Sequence, residues 1–207
     1  MKNSFHYLLK ILILSLIYSI LPAISYSQNT LKLLDEVCDG NAEKGIEHIF
    51  ALAKGGNSAA TFLLAMMLAE NGQTALALKY LTASAEQGSA NGMKALGTLA
   101  LNDKNYPEAK YWFEAAAKLR NINAIMYLGI MHRDGLGLQA NNETAYFWFT
   151  VAGKLKKTST TGDIEPEKFA FDISRQLSTN TLKRLLQDTE NWIVEHPETP
   201  SESVPNC

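Results

Sequence analysis

The stretch Ala124–Gly153 reads AIMYLGIMHRDGLGLQANNETAYFWFTVAG. Its first half places Ala124, Leu128 and Gly129 in a small-x-x-x-Leu-small pattern. Small residues four or five apart share one face of a helix and let a second helix come close. Asp134-Gly135-Leu136-Gly137-Leu138 then reads as a turn. The second half places an aromatic three residues after a small one, Ala145-x-x-Trp148, followed by the small patch Val151-Ala152-Gly153.

The same pattern recurs upstream at a period of 32 residues. Ala60, Gly92 and Ala124 form one series, Leu64, Leu96 and Leu128 a second, and Ala65, Gly97 and Gly129 a third. In the second halves, Ala77-x-x-Tyr80 and Ala109-x-x-Trp112 are again 32 apart, and Trp148 follows 36 residues later because the Gly135–Gly137 turn is four residues longer. The patches Ala83-Ser84-Ala85 and Ala115-Ala116-Ala117 follow the same spacing. This register predicts Tyr80, Trp112 and Trp148 as core knobs set against the small patches of neighbouring helices. A worn earlier copy is visible in Gly45, His48, Ala51 and Gly56, each 32 residues before its counterpart. Its first helix is expected over about 29–37, with the turn at Cys38–Asn41.

Local composition agrees with helix pairs. Ala, Leu, Met, Lys and Glu dominate, and apolar residues recur at three and four, as in Leu63, Leu64, Met67 and Leu68. Pro107 suits a first helical turn, where its missing N–H costs nothing. No strand-like alternation occurs. A fixed period of this length is the signature of a stacked repeat array. The fold class expected is all-α: a right-handed α-solenoid of antiparallel helix-pair repeats with a C-terminal capping helix pair.

These residues resemble the Sel-one-like repeat family, relatives of the tetratricopeptide repeats. Ala124, Leu128, Gly129, Gly135, Gly137, Ala145, Trp148 and Ala152 match that family's A-x-x-x-L-G, G-x-G, A-x-x-W and A-A elements. The chain departs at His132, where an aromatic is usual, and at Thr144, where Lys is usual. The copies at 58–88 and 89–120 lack the Gly-x-Gly turn and carry Leu68 and Ala100 in the aromatic slot.

The boundaries follow. Residues 28–57 are a degenerate first repeat and 58–153 are three full repeats. Residues 154–195 are a linker and capping helices, and 196–207 a disordered tail. The cap reads as one helix from Glu165 to Leu177, a break at Ser178–Asn180 with an N-cap, and a second helix from Thr181 to Glu195. Residues 1–27 read as an export signal: Lys2, His6 and Lys10, then the apolar run Ile11–Leu21, then Ser25-Tyr26-Ser27 as the cleavage site. The run is short for a membrane span, which needs about 20 residues. A periplasmic or secreted location follows, with no stable membrane anchor once the signal is cleaved.

The sequence carries 19 Lys+Arg against 21 Asp+Glu, and removal of Lys2 and Lys10 leaves 17 against 21. A mildly acidic chain lacks the basic stripe that nucleic acid requires. No catalytic, cofactor or metal set is legible. His48 and His132 occupy aromatic repeat positions, where a packed ring is the simpler reading, and His196 lies in the tail. The Gly-x-Gly at 135–137 joins two helices, whereas a dinucleotide loop follows a strand. The two cysteines, Cys38 and Cys207, fit no metal spacing and form a candidate disulfide. An intrachain bridge must span an array of about 40 Å with a short tail, and a bridge to another molecule is the alternative.

Solenoids bind through the concave surface lined by the first helix of each pair. By the tetratricopeptide analogy the candidate partner-binding residues are Phe62, Met66, Asn91, Lys94, Thr98, Met126, Ile130 and Arg133. Met and aromatic side chains suit adaptable contacts with a peptide, although Phe62, Met66, Met126 and Ile130 can equally pack between helices. The resemblance implies a protein or peptide partner and no enzymatic activity. It also admits two alternatives: an accessory subunit of an envelope machine such as the flagellar motor, or a cell-wall or β-lactam hydrolase. The hydrolase analogy rests on relatives with paired cysteines in each repeat, which this chain lacks.

Overall fold

The computed structural model describes residues 42–156, 165–198 and 204–205. The expected export signal, the expected first helix of the worn repeat, Cys38 and Cys207 all lie outside the described residues. The helices are α1 (Ala42–Lys54), α2 (Ser58–Glu70), α3 (Thr74–Glu86), α4 (Ala90–Asn102), α5 (Tyr106–Lys118), α6 (Ile122–Asp134), α7 (Asn142–Lys156), α8 (Pro166–Ser174) and α9 (Thr179–Glu195). Among the described residues there is no strand.

The period of 32 is two units of 16. Each helix from α1 to α6 spans 13 residues, and three-residue turns join them. The middle residue of every such turn adopts a left-handed backbone: Gly56 (φ 87°), Gly72 (φ 72°), Gly88 (φ 93°), Lys104 (φ 59°) and Arg120 (φ 58°). The next residue's N–H then bonds back to a carbonyl five residues earlier, as from Gln73 to Leu68 (2.9 Å) and from Asn105 to Ala100 (2.8 Å). This closure satisfies the orphan carbonyls at a helix end. Three of the five turns use Gly, which takes positive φ without a Cβ penalty.

The first helix of each pair is also capped by a side chain. Asn57, Ser89 and Asn121, again 32 apart, accept from the N–H of Ala60, Gly92 and Ala124 at 2.8, 3.0 and 3.0 Å. Such caps stabilise a helix by about 1 kcal/mol each. Gln73 and Asn105, at the starts of the second helices α3 and α5, make no side-chain cap bond.

Helices pair as α2 with α3, α4 with α5 and α6 with α7, and each pair packs on the next. The buried knob in each pair is the residue after the expected aromatic: Leu81 (8% exposed), Phe113 (0%) and Phe149 (0%). A helix turns about 100° per residue, so a one-position offset moves a side chain from the flank to the seam. Tyr80, Trp112 and Trp148 instead lie half-buried on that flank. Tyr80 packs against both N-terminal core clusters, Trp112 against the second of them, and Trp148 against the large C-terminal one. The small residues receive the knobs. A Cβ built on Gly97 would lie 2.7 Å from Phe113 Cδ1, and one on Gly129 would lie 2.6 Å from Phe149 Cε1. Ala65 stands at the same register where the knob is the smaller Leu81, in one core cluster with it.

The longer turn between α6 and α7 has its own cause. Gly135 (φ 67°) and Gly137 (φ 71°) are both left-handed. A Cβ on Gly137 would sit 2.2 Å from Tyr106 Cβ. The extra residues thus fold against the start of α5. Asn141 then caps α7, accepting from Thr144 N–H at 2.9 Å.

Beyond the last pair, α8 and α9 pack on α7. Phe169 of α8 stacks on Phe149 (centroids 5.1 Å apart), and Trp192 of α9 meets Trp148 edge to face (5.8 Å). Ser178 caps α9, which starts at Thr179, two residues before the expected position. The far end of α9 is held by Arg120. Its Nη2 donates to the Ile193 carbonyl (2.8 Å) and its Nε to the His196 carbonyl (2.5 Å). Val204, in the segment expected to be disordered, packs against the cluster of Ile46, Ile49, Ala60, Leu64 and Met67 at the other end of the array.

Candidate protein-binding groove

The first helices of neighbouring pairs touch directly, α2 with α4 and α4 with α6. That puts them on the inner side of the stack. A cavity of about 640 Å³ opens along them, lined by Lys94 of α4, by Asn123, Met126, Tyr127 and Ile130 of α6, and by Glu165, Lys168 and Phe169 at α8. Its size suits a few side chains of a ligand.

Repeat geometry supplies the floor. Met126 and Ile130 are one turn apart on α6, so both face the same side. Met126 is 4% exposed and anchored in the core, while Ile130 is half-buried and packs against it. Tyr127 stacks on Phe113 at 4.7 Å between centroids and 10° between planes, which fixes its ring at the groove edge. The cap supplies the far wall. Phe169 is pinned from below by Phe149 and from the side by Arg133, whose guanidinium carbon lies 5.3 Å from the ring centroid.

The charges are uneven. Two ammonium groups, Lys94 and Lys168, and one carboxylate, Glu165, border an apolar floor. Arg133 spends its charge locally: Nε and Nη2 donate to the two Asp134 carboxylate oxygens at 2.6 and 2.8 Å. That bond raises the Arg133 pKa and holds the Asp134 carboxyl below the usual carboxylate range.

Of the eight residues expected on this surface, Lys94, Met126 and Ile130 line the groove, and Arg133 braces its wall. Asn91 is exposed and its Oδ1 accepts from Asn121 Nδ2 at 3.2 Å, joining the starts of α4 and α6. The Thr98 hydroxyl donates to the Lys94 carbonyl (2.9 Å) and so turns back on its own helix. Phe62 is half-buried against the cluster of Ala65, Leu81 and Leu96, and Met66 is 42% exposed. Neither lines the groove. The sequence reading did not select Tyr127, Glu165, Lys168 or Phe169 for the site. Tyr127 adjoins Met126 and was within reach of the pattern. The three cap residues were not, because no repeat register extends past Gly153.

His132 replaces the usual aromatic near the end of α6. Its Nδ1 is buried without a hydrogen-bond partner. Burial, reinforced by the Lys110 charge and opposed by Glu114, lowers its pKa. Among the described residues, no three His, Cys, Asp or Glu are placed to hold a metal ion. Among the same residues no helix is long and apolar enough to cross a membrane.

Comparison with known proteins agrees with this architecture. The Sel1 repeat family model matches residues 58–89, 103–121 and 122–156. The second match begins at Asp103, and α4 supplies the first helix of that pair in the structure. No curated protein matches the chain. Among solved structures, the chain is similar to a protective antigen present in uropathogenic Escherichia coli strains and displaying an SLR fold. The TM-score is 0.63 and the identity 17%, over 86% of this chain and 41% of that one. The chain thus spans about two-fifths of that protein's length, and at this identity the likeness establishes the fold alone. Sel1 repeats are a scaffold fold that mediates protein–protein interaction at the level of the family. Residues 58–156 therefore carry three Sel1 repeats, set in an all-α solenoid.

Proposed function

We propose that the chain is an exported interaction scaffold that holds an extended segment of a partner protein in the groove between α4, α6 and α8. The observation that carries this reading is the groove's composition. An apolar floor of Met126, Tyr127, Ile130 and Phe169 is bordered by the ammonium groups of Lys94 and Lys168. A ligand that fits offers one bulky apolar side chain to the floor and a carboxylate to the two lysines. Met126 and Ile130 give the floor an apolar surface, which suits docking of a partner's apolar side chain. The basic, apolar and small-residue order of residues 1–27 supports export, and with it a partner in the periplasm or outside the cell.

The test is selection of peptides from a random displayed library against the purified chain, followed by binding of synthetic hits. Acidic–apolar peptides are expected to emerge. Their affinity should fall at least tenfold in a Lys94→Glu/Lys168→Glu double variant whose melting temperature is unchanged. Enrichment of peptides whose affinity ignores that double reversal, or no enrichment, would refute the groove as the binding site.

A further inference from the structure

We propose that the side of α1 bearing His48 is a second peptide-binding site, independent of the groove, and that the chain's own Val204-Pro205 is its resident ligand. His48 Nε2 donates to the Pro205 carbonyl at 2.7 Å, across 157 positions of sequence. Val204 is half-buried and packs against the apolar cluster of Ile46, Ile49, Ala60, Leu64 and Met67, whereas Pro205 is exposed. Neighbouring residues thus offer one apolar side chain and one backbone carbonyl. Those are the two features by which an extended peptide is held on a protein surface.

Repeat register explains why the site lies on α1. His48 holds the flank position of a second helix, equivalent to Tyr80, Trp112 and Trp148. On α7 that flank is covered by α9, where Trp192 meets Trp148 edge to face at 5.8 Å. On α1 the same position meets Pro205 instead. Imidazole keeps a flat ring at this register and adds an N–H donor, which a peptide carbonyl satisfies. The departure from an aromatic at position 48 therefore gives the flank a directional contact as well as an apolar one.

The occupant defines the ligand class. Every residue has a carbonyl, so selectivity rests on the aliphatic side chain before it. A residue that precedes proline is held towards extended backbone, so Val204 loses less freedom on docking. The external ligand that fits is an extended protein segment with an aliphatic residue followed by proline. It must displace Val204, which is tethered to the site. A short flexible tether gives an effective concentration of about a millimolar, so a free segment with the same two contacts competes only in that range.

The probe is a synthetic peptide of residues Thr199–Asn206, titrated into the full chain carrying Val204→Asp and followed by the NMR signals of Ile46, Ile49 and the His48 ring. Val204→Asp sets a carboxylate against the apolar cluster and so vacates the site. Saturable shifts are expected at about a millimolar of peptide, and wild type should shift much less at the same concentration because its site is filled. His48→Phe in the Val204→Asp background keeps a flat ring without the donor, and it should weaken the peptide about threefold or more. Wild type is also read directly: nuclear Overhauser contacts from the Val204 methyls to the cluster are expected, unchanged on dilution. Their absence, or their loss on dilution, would overturn the proposal, the latter by placing the occupant in a second copy. Equal peptide shifts in wild type and Val204→Asp, or binding indifferent to His48→Phe, would overturn it as well.

Discussion

Gly129 and Phe149 meet without room for a methyl group: a Cβ on Gly129 would lie 2.6 Å from Phe149 Cε1. A glycine inside a helix ordinarily costs about 0.5–1 kcal/mol relative to alanine. At this contact the sign reverses, because the ring is fully buried and Phe169 stacks on it. Gly129→Ala is expected to destabilise by about 1–3 kcal/mol through overpacking. Urea denaturation measures it. Gly129→Ala/Phe149→Leu should recover part of the loss, as the Ala65 and Leu81 pairing does in the first full repeat.

Arg120 joins a turn of the array to the last helix. Its two donations to the Ile193 and His196 carbonyls place a cation at the negative end of α9. Arg120→Ala should cost about 1.5–3 kcal/mol, the range for hydrogen bonds from a charged group. Arg120→Gly should cost less than Arg120→Ala, because it relieves the left-handed backbone while losing the same bonds. Equal stability of wild type and both variants would remove the cap from the account.

Lys104 has the same left-handed backbone (φ 59°), but it is exposed and its turn is otherwise like the glycine turns. Lys104→Gly is expected to stabilise the chain by about 0.5–1 kcal/mol, as the Cβ penalty exceeds the added entropy of the unfolded chain. Thermal unfolding reads this as a rise in melting temperature. A fall would show that Lys104 makes a contact worth more than its backbone strain.

His132 makes stability depend on pH. Burial, and then the Lys110 charge, lower its pKa in the folded state. The unfolded chain therefore takes up the proton first as pH falls. The neutral ring's contribution is fully present above the unfolded value of about 6.5 and is lost as pH drops from there towards the folded pKa. His132→Phe should flatten the stability–pH curve in that window. An unchanged slope would place the titration elsewhere.

The repeat was legible because stacking demands it. Small residues at Ala60, Gly92 and Ala124 mark where helices approach, and the turn glycines mark where the backbone reverses. The aromatic series was read one position off. Trp112 and Trp148 stand out by size, but Phe113 and Phe149 fill the seam, and only the rotation of each helix decides between neighbours. The groove was half legible. Lys94, Met126 and Ile130 follow from the repeat, whereas Phe169 and Lys168 belong to a cap outside any period.

By itself the sequence determined the helix pairs, their period and the longer turn at Gly135–Gly137, because these depend on local backbone preference and on spacing along one helix. The tertiary structure decided what no period encodes. It set which ring of each neighbouring pair enters the seam, how α8 walls the groove, and where Arg120 holds α9. It also carried Val204 and Pro205 back to His48. Such contacts join residues far apart in sequence, and their partners are chosen by the packing of whole helices.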